Sequence, residues 1–193
     1  MGRYEGGHGT PVVDADFVHF VGLRRLNMSY CKSITDAAFV HFKGIHTLNM
    51  WGCRQSTITN AAFVHLKGIH TLNMGYCDQT TITDAAFVHL RGIHTLDMSG
   101  CTQSTITDAA FVHLKGIHSL SLYYCPQLTS AVFTHLRGVK RLNIGFCFQL
   151  TLTDDSLKGI EWLNVFNTSQ ALRDAVENAG YPYFEINALG FGI

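Results

Sequence analysis

The sequence has no excess of charge of either sign, since 14 Lys and Arg residues balance 14 Asp and Glu residues over 193 residues. It also has no run of clustered Lys or Arg. Binding to nucleic acid or to an anionic membrane needs several clustered cations, because these neutralise phosphates or lipid headgroups. We therefore expect neither nucleic acid nor membrane as a partner.

Long apolar runs are missing as well. The start, MGRYEGGHGTPVV, lacks the apolar segment of about 7 to 15 residues that follows a cationic start in a secretory signal. No apolar stretch reaches the length of about 18 residues that indicates a transmembrane helix. Without a signal, the six cysteines are expected to be reduced thiols, which predicts a cytoplasmic or nuclear protein that is not secreted.

The cysteines do not have the spacing of a disulfide framework or of a zinc knuckle. Their separations are 22, 24, 24, 24 and 22 residues, which is the behaviour of one position inside a repeated module. The six positions are Cys31, Cys53, Cys77, Cys101, Cys125 and Cys147.

Each repeated unit has a helical half and an extended half. The first half reads ITDAAFVHLKG, with Thr and Asp or Asn at a helix start and Gly at its end. Phe63 and Leu66 are three residues apart and are predicted to face inward together. The second half reads IHTLNM, in which Leu and Met alternate with polar residues as in a half-buried strand. One unit cannot bury its own apolar face, so the units are expected to stack.

The spacing LxxLxLxxC, as in LRRLNMSYC at 23–31, IHTLNMWGC at 45–53 and VKRLNIGFC at 139–147, resembles a leucine-rich repeat. Cys at the ninth position followed by QLTS or TITD resembles the cysteine-containing class in the substrate-recognition arms of F-box proteins. The resemblance covers about residues 12–168. It implies an α/β fold, a right-handed solenoid of about seven units with a parallel sheet on the concave side and short helices on the convex side.

The units depart from the family pattern in two ways. The sixth position, Leu in the family, is Met in four units, and the ninth is Thr168 in the last unit. In the family the Cys position faces inward, where a thiol can bond loop amides as Asn does elsewhere. From the residues alone, a plain small hydrophobe is an equal interpretation.

The ends differ from the middle and set the predicted organisation. Residues 1–11 are expected to be a flexible N-terminus, residues 12–168 the repeats, and residues 169–193 a C-terminal cap. Within the cap, SQALRDAVENAG has a Ser cap, apolar Leu172 and Val176, and Gly180 as a stop, which predicts a helix.

Ten of the 11 histidines fall into two columns, one on the helices and one before the strands. A catalytic site needs different residues that converge on one point, and a column is the opposite geometry. We therefore predict no enzyme, no cofactor and no metal site. Metal binding by neighbouring imidazoles is the sharper alternative, because adjacent strands lie about 4.8 Å apart.

The units differ from one another mainly at positions 5, 7 and 8, counted from Ile45 as position 1 to Cys53 as position 9, while AAFVH is unchanged in four units. In a leucine-rich solenoid, positions 5 and 7 point out of the sheet and position 8 lies at its edge. Aromatic residues that line or rim this face, with Arg residues toward its two ends, are the types that dominate binding at protein interfaces. The predicted partner-binding residues are Arg25, Asn27, Tyr30, Asn49, Trp51, Asn73, Tyr76, Asp97, Ser121, Tyr123, Tyr124, Arg141, Phe146, Trp162 and Phe166.

These residues predict a module that binds a protein or peptide on its concave face, as a monomer. The resemblance to F-box proteins implies an adaptor or substrate-recognition role, in which we expect the F-box part to come from another chain. A structural protein that self-associates through its helix face is the alternative. A designed consensus array would explain the near-identity of the units but not their irregular Met, Cys and His usage.

Overall fold

The computed structural model describes residues 12–180, which form a single parallel sheet backed by a row of short helical segments. Seven strands of three residues each lie in sequence order. All six neighbouring pairs are parallel, and each strand's central Leu stands opposite the next. The strands are β1 Arg25–Asn27, β2 Thr47–Asn49, β3 Thr71–Asn73, β4 Thr95–Asp97, β5 Ser119–Ser121, β6 Arg141–Asn143 and β7 Trp162–Asn164.

Three of the helical segments begin as an α-helix and end as a 3₁₀ turn. Helices α1 Asp36–Phe39, α2 Asn60–Phe63 and α3 Asp84–Phe87 continue as 3₁₀ turns over Val40–Phe42, Val64–Leu66 and Val88–Leu90. The tighter 3₁₀ turn is frequent at helix ends, and here it precedes the chain's return to the sheet. The remaining 3₁₀ segments are Asp14–Phe20, Asp108–Leu114 and Ser130–Thr134, and the remaining α-helices are α4 Asp154–Leu157 and α5 Gln170–Asn178.

Threonine begins these helices and also links the units. The Thr59 hydroxyl accepts the backbone N–H of Ala61 at 3.1 Å and so caps α2. Asp36 of the preceding unit in turn accepts the Thr59 backbone N–H and hydroxyl, both at 2.7 Å. The same pairing recurs between Asp84 and Thr107. The motif ITD therefore joins neighbouring helices as well as starting one.

The core lies between the helices and the sheet, as the sequence pattern predicts. Phe63 and Leu66 are at most 1% exposed and pack with Ile69 and Leu72 of the following strand region. The four Met residues at position 6 of the first four units are also buried. Their flexible side chains occupy the place that Leu takes elsewhere in the pattern.

The ninth position is a hydrogen-bond donor and not only a small hydrophobe. The Cys101 thiol donates to the carbonyl of Met74 in the preceding unit at 3.1 Å, and four other cysteines make the equivalent bond. Cys31 has no preceding unit and is half-buried. Thr168 keeps the role with another partner, because its hydroxyl donates to the Val165 carbonyl at 2.8 Å. All six cysteines are free thiols.

The predicted C-terminal helix is present. Ser169 caps α5, Leu172 and Val176 are buried, and Gly180 follows the helix with a φ of 70°. The role of residues 169–193 as a cap stays a prediction, and residues 181–193 lie outside the described residues, as do residues 1–11 of the predicted flexible N-terminus. Among residues 12–180, no helix is long and apolar enough to cross a bilayer.

Candidate functional site

The sheet has one face against the core and one face away from it. Of the 15 residues predicted from the sequence to bind a partner, eight lie in the strands and seven lie in the turns that follow the strands. Of those 15 residues, five are exposed, eight are partly buried and two are buried. The exposed ones are Arg25, Asn27, Tyr30, Tyr124 and Arg141. The partly buried ones are Asn49, Trp51, Asn73, Tyr76, Tyr123, Phe146, Trp162 and Phe166.

The two buried residues, Asp97 and Ser121, correct the expectation that position 5 is presented to a partner. They are 8% and 1% exposed. At six of the seven strands the side chain at position 5 folds back and accepts the backbone N–H two residues on, whereas the Ser121 hydroxyl lies 2.8 Å from the Ser99 hydroxyl. The Asn49 side-chain oxygen accepts the N–H of Trp51 at 3.0 Å, and Asp97 accepts that of Ser99 at 2.9 Å. Position 5 therefore shapes the strand end in addition to facing outward.

Position 8 has left-handed backbone in every unit. The φ angles lie between 50° and 69° at Tyr30, Gly52, Tyr76, Gly100, Tyr124, Phe146 and Asn167. Glycine adopts this conformation freely and Asn tolerates it, whereas other residues pay about 1 to 2 kcal/mol. Four units nevertheless have an aromatic residue there, although this backbone conformation is unfavourable for an aromatic residue.

Aromatic rings of one unit lie over glycines of the next. A Cβ added at Gly75 would come within 2.5 Å of the Trp51 ring, and one at Gly100 within 2.7 Å of the Tyr76 ring. Tyr123 has the same relation to Gly145, where the distance is 3.0 Å. The glycines at positions 7 and 8 thus provide the space that the preceding ring fills.

The rings form two groups. The first aromatic cluster is Tyr30, Trp51 and Tyr76, with centroid distances of 4.7 and 5.0 Å between successive rings. In the second aromatic cluster, Phe146 lies 5.0 Å from Tyr123, 5.6 Å from Phe166 and 6.3 Å from Phe148. Within residues 12–180, no ring contact joins the two clusters.

The second cluster includes one residue that sequence reasoning missed. Phe148 follows the ninth position and is 55% exposed, yet it touches Phe146 edge-on at 86°. The sequence feature that could have identified Phe148 is its position directly after Cys147. The residue at this position varies between units and is Arg54 in the second unit. Arg54 itself lies over the Tyr76 ring at 5.6 Å from the centroid, and Arg141 lies over Trp162 at 5.3 Å.

The histidines before the strands form a stack. His46, His70, His94 and His118 have successive ring centroids 4.5 Å apart and interplanar angles of 12° to 17°. Partial burial, followed by the neighbouring imidazoles, holds the pKa of His94 below its usual value. His46 also has a lowered pKa, with burial first, then His70 and two nearby arginines as causes.

The second predicted column, on the helices, does not stack. Among the described residues no ring contact joins these histidines, and the interaction found there is between the Arg91 guanidinium and His113 Nδ1 at 3.2 Å. The helix histidines lie on separate helical segments, while hydrogen-bonded strands set the spacing of the stacked ones. No group of three or more His, Cys, Asp or Glu side chains in residues 12–180 is arranged to hold a metal ion.

The thiols are poor candidates for chemistry. Burial raises the pKa of Cys53 to about 12 and that of Cys147 to about 11. Burial raises the pKa of Cys101 well above its usual value as well. Since the thiolate is the reactive form, these side chains act as structural donors in the core.

No protein-family model and no curated protein matches the sequence. Solved structures do resemble it. A chain in the crystal structure of the Rad7 and Elc1 complex in yeast has a TM-score of 0.59 and 16% identity, over 81% of this chain and 48% of that one. A chain in the Toll–Spatzle complex of Drosophila has a TM-score of 0.48 and 14% identity, over 79% of this chain and 28% of that one.

The likeness to the Rad7–Elc1 chain concerns the fold, because the identity is low and this chain spans about half the length of the chain it matches. The seven parallel strands in sequence order and the short helical segments behind them agree with it. The chain folds as an α/β leucine-rich repeat solenoid.

Proposed function

We propose that the sheet face away from the core binds a protein or an extended peptide, and that this face is concave as in other leucine-rich repeat proteins. The observation that carries the proposal is the set of aromatic residues at position 8. Tyr30, Tyr76, Tyr124 and Phe146 all have positive φ angles, although Gly or Asn would relieve the backbone. Strain of this kind clusters at ligand-binding sites, where the side chain has a role beyond folding.

The composition of the face supports a protein partner. Tyr, Trp and Arg are the residues that most often dominate binding energy at protein interfaces. The similar solved structure is itself a complex of two proteins, Rad7 and Elc1. We extend the proposal to an adaptor or substrate-recognition role for a monomer in the cytoplasm or nucleus, in line with the resemblance to F-box proteins and with six free thiols.

The experiment selects peptides from a random display library with the intact chain and measures their affinity by calorimetry. The variants are Tyr30→Gly and Tyr124→Gly, because these side chains are 60% and 47% exposed and Gly keeps the backbone unstrained. We expect at least one to weaken binding about thirtyfold, or about 2 kcal/mol. The matched controls His65→Ala and Lys67→Ala lie on the helix side and should leave affinity unchanged.

A specific observation favours self-association as a second candidate. One valine per unit stands exposed on the helix side, which gives an apolar column across five units. Its members are Val18, Val40, Val64, Val88 and Val112, from 37% to 53% exposed.

Size-exclusion chromatography with light scattering separates the two candidates. A binding module runs as a monomer at micromolar concentration, and an assembly does not. The binding proposal is wrong if helix-side changes abolish association while the two tyrosine variants behave as the parent.

A further inference from the structure

The fourth unit interrupts the aromatic face. At positions 7 and 8 it has Ser99 and Gly100, whereas each neighbouring unit has an aromatic residue at one or both positions. The Tyr76 N–H donates to the Ser99 carbonyl at 2.7 Å, and the Gly100 N–H donates to the Tyr123 carbonyl at 2.8 Å. Ser99 therefore lies between the last ring of the first aromatic cluster and the first ring of the second.

In the fourth unit the Tyr76 ring lies over Gly100, beside Ser99. The Trp51 ring lies over Gly75, and the Tyr123 ring lies over Gly145, one unit further along. We call the Ser99 position, which has a hydroxyl where the adjacent units have Gly75 and Tyr123, the notch.

A carboxylate forms the floor of the notch. Asp97 Oδ1 accepts the Ser99 backbone N–H at 2.9 Å and the Ser99 hydroxyl at 2.5 Å. The Ser99 hydroxyl also lies 2.8 Å from the Ser121 hydroxyl, which extends the polar floor to the next strand. Asp97 is 8% exposed and ends β4, in the unit between the two aromatic clusters.

The fold does not need the charge of Asp97. Five other units have Asn at this position, and in Asn49 and Asn73 the amide oxygen accepts the same N–H two residues on. Among residues 12–180, no Lys, Arg or His side chain forms an ion pair with Asp97. Burial raises its pKa, although the bonds from Ser99 oppose the shift.

A buried charge without a partner is unfavourable, and buried charges in proteins are normally paired. The buried carboxylate of Asp97 is therefore unfavourable for folding, because no counterion among the described residues offsets its charge. It lies where the partner is proposed to bind. A cation supplied by the partner would provide that counterion.

We propose that the notch binds one cationic side chain of the peptide partner, with arginine preferred over lysine. This rests on the proposed function of the sheet face and names the partner chemistry at its centre. A guanidinium is planar, can donate to the Asp97 carboxylate, and can stack on an adjacent tyrosine ring. The chain's own Arg54 already lies over Tyr76 in this way.

The test titrates the full-length, ¹⁵N-labelled chain with the blocked tripeptide acetyl-Ser-Arg-Ser-amide, followed by two-dimensional NMR. The neutral control peptide has citrulline in place of arginine, which keeps the shape and removes the charge. We expect saturable shifts of the Ser99 and Gly100 amide signals, with affinity for the arginine peptide at least tenfold higher.

Two variants isolate the carboxylate. Asp97→Asn keeps the acceptor for the Ser99 N–H, so it should fold with an unchanged or higher melting temperature and lose the preference for arginine. Asn73→Asp places a carboxylate at the same position of the third unit, where Trp51 fills the space over Gly75. It should gain no second arginine site.

The inference is overturned if both peptides cause the same shifts, if Asp97→Asn binds arginine as the parent does, or if the shifts map to the helix side. The proposed function is tested separately, by the library-selected peptides. If these peptides bind Tyr30→Gly or Tyr124→Gly more weakly than the parent, the proposed function stands even when the arginine site is refuted. If both tyrosine variants bind them as the parent does, the proposed function is wrong.

Discussion

The left-handed backbone at position 8 gives a sharp stability prediction at Tyr124. Its φ angle is 52°, its side chain is 47% exposed, and no ring contact involves it among the described residues. An L-residue in this region costs about 1 to 2 kcal/mol, whereas glycine has no such penalty. Tyr124→Ala removes the ring and keeps the penalty, and Tyr124→Gly removes both. We expect the Gly variant to be more stable than the Ala variant by about 1 kcal/mol.

A matched pair at Lys67 provides the control. Lys67 is exposed and has an ordinary φ of −56°. Where the backbone is compatible, Ala is more stable than Gly by about 0.4 to 1 kcal/mol, because Gly has more freedom in the unfolded chain. The order of Ala and Gly should therefore be opposite at the two positions.

Urea unfolding followed by circular dichroism measures both pairs, and midpoints compared at constant m-value report the stability differences. An Ala variant at Tyr124 as stable as the Gly variant would refute the reasoning. It would also weaken the functional argument, since that argument requires the aromatic residues at position 8 to sacrifice stability.

Three further predictions follow from the core, the imidazole stack and the ring packing. Cys101→Ala should lower the free energy of unfolding by about 1 to 3 kcal/mol, because it removes a buried side chain and its bond to a carbonyl; unchanged urea midpoints would contradict this. The lowered pKa values of His46 and His94 mean that the unfolded chain binds more protons below about pH 7, so the melting temperature should fall as the pH drops through 6.5. The double variant His46→Gln, His94→Gln should show a weaker dependence of the melting temperature on pH. If the parent chain melts at the same temperature at about pH 7.5 and about pH 5.5, this prediction is wrong. Gly75→Ala should cost about 1 to 3 kcal/mol by displacing Trp51 and little in a Trp51→Ala background, whereas additive costs would show that the ring and the glycine do not interact.

The fold was predictable because its signal is repeated seven times. Leu48 and Met50 are buried where the LxxLxLxxC spacing predicts, and each further unit presents the same pattern to the same core. A helix of four residues would be a weak prediction by itself. Its repetition with Thr at one end and Gly at the other makes it a strong one.

The outward residues were less predictable. The alternation of apolar and polar residues along a strand predicts which way a side chain points, but it does not predict how deeply that side chain is buried. Asp97 is at an outward position by that rule, yet its side chain folds back to the Ser99 N–H and is buried. Five Asn residues in the same column were the available signal, since Asn and Asp bond the backbone two residues on. Position 5 varies between units, but nearly all of its residues are Asn or Asp, which make the same bond. Counting the differences between units does not reveal this shared role.

Position 8 carried a second available signal. Gly52, Gly100 and Asn167 share that column, and a column with Gly and Asn predicts positive φ. The aromatic residues in the other units then become informative, because they occur where the backbone disfavours them. The backbone conformation at position 8 therefore limits which residues the units can have there without a cost in stability.

The pairing of rings and glycines sets what this surface can present. Trp51 depends on the space at Gly75 and Tyr76 on the space at Gly100, so an aromatic residue at one position restricts the same position in the next unit. Where the next unit has Phe146 in place of Gly, Tyr124 lacks that space, and its side chain is 47% exposed with no ring contact among the described residues. The fourth unit follows the same rule, since Gly100 provides the space for the Tyr76 ring. Both the exposed ring and the notch thus result from the order in which large and small residues alternate along the repeats.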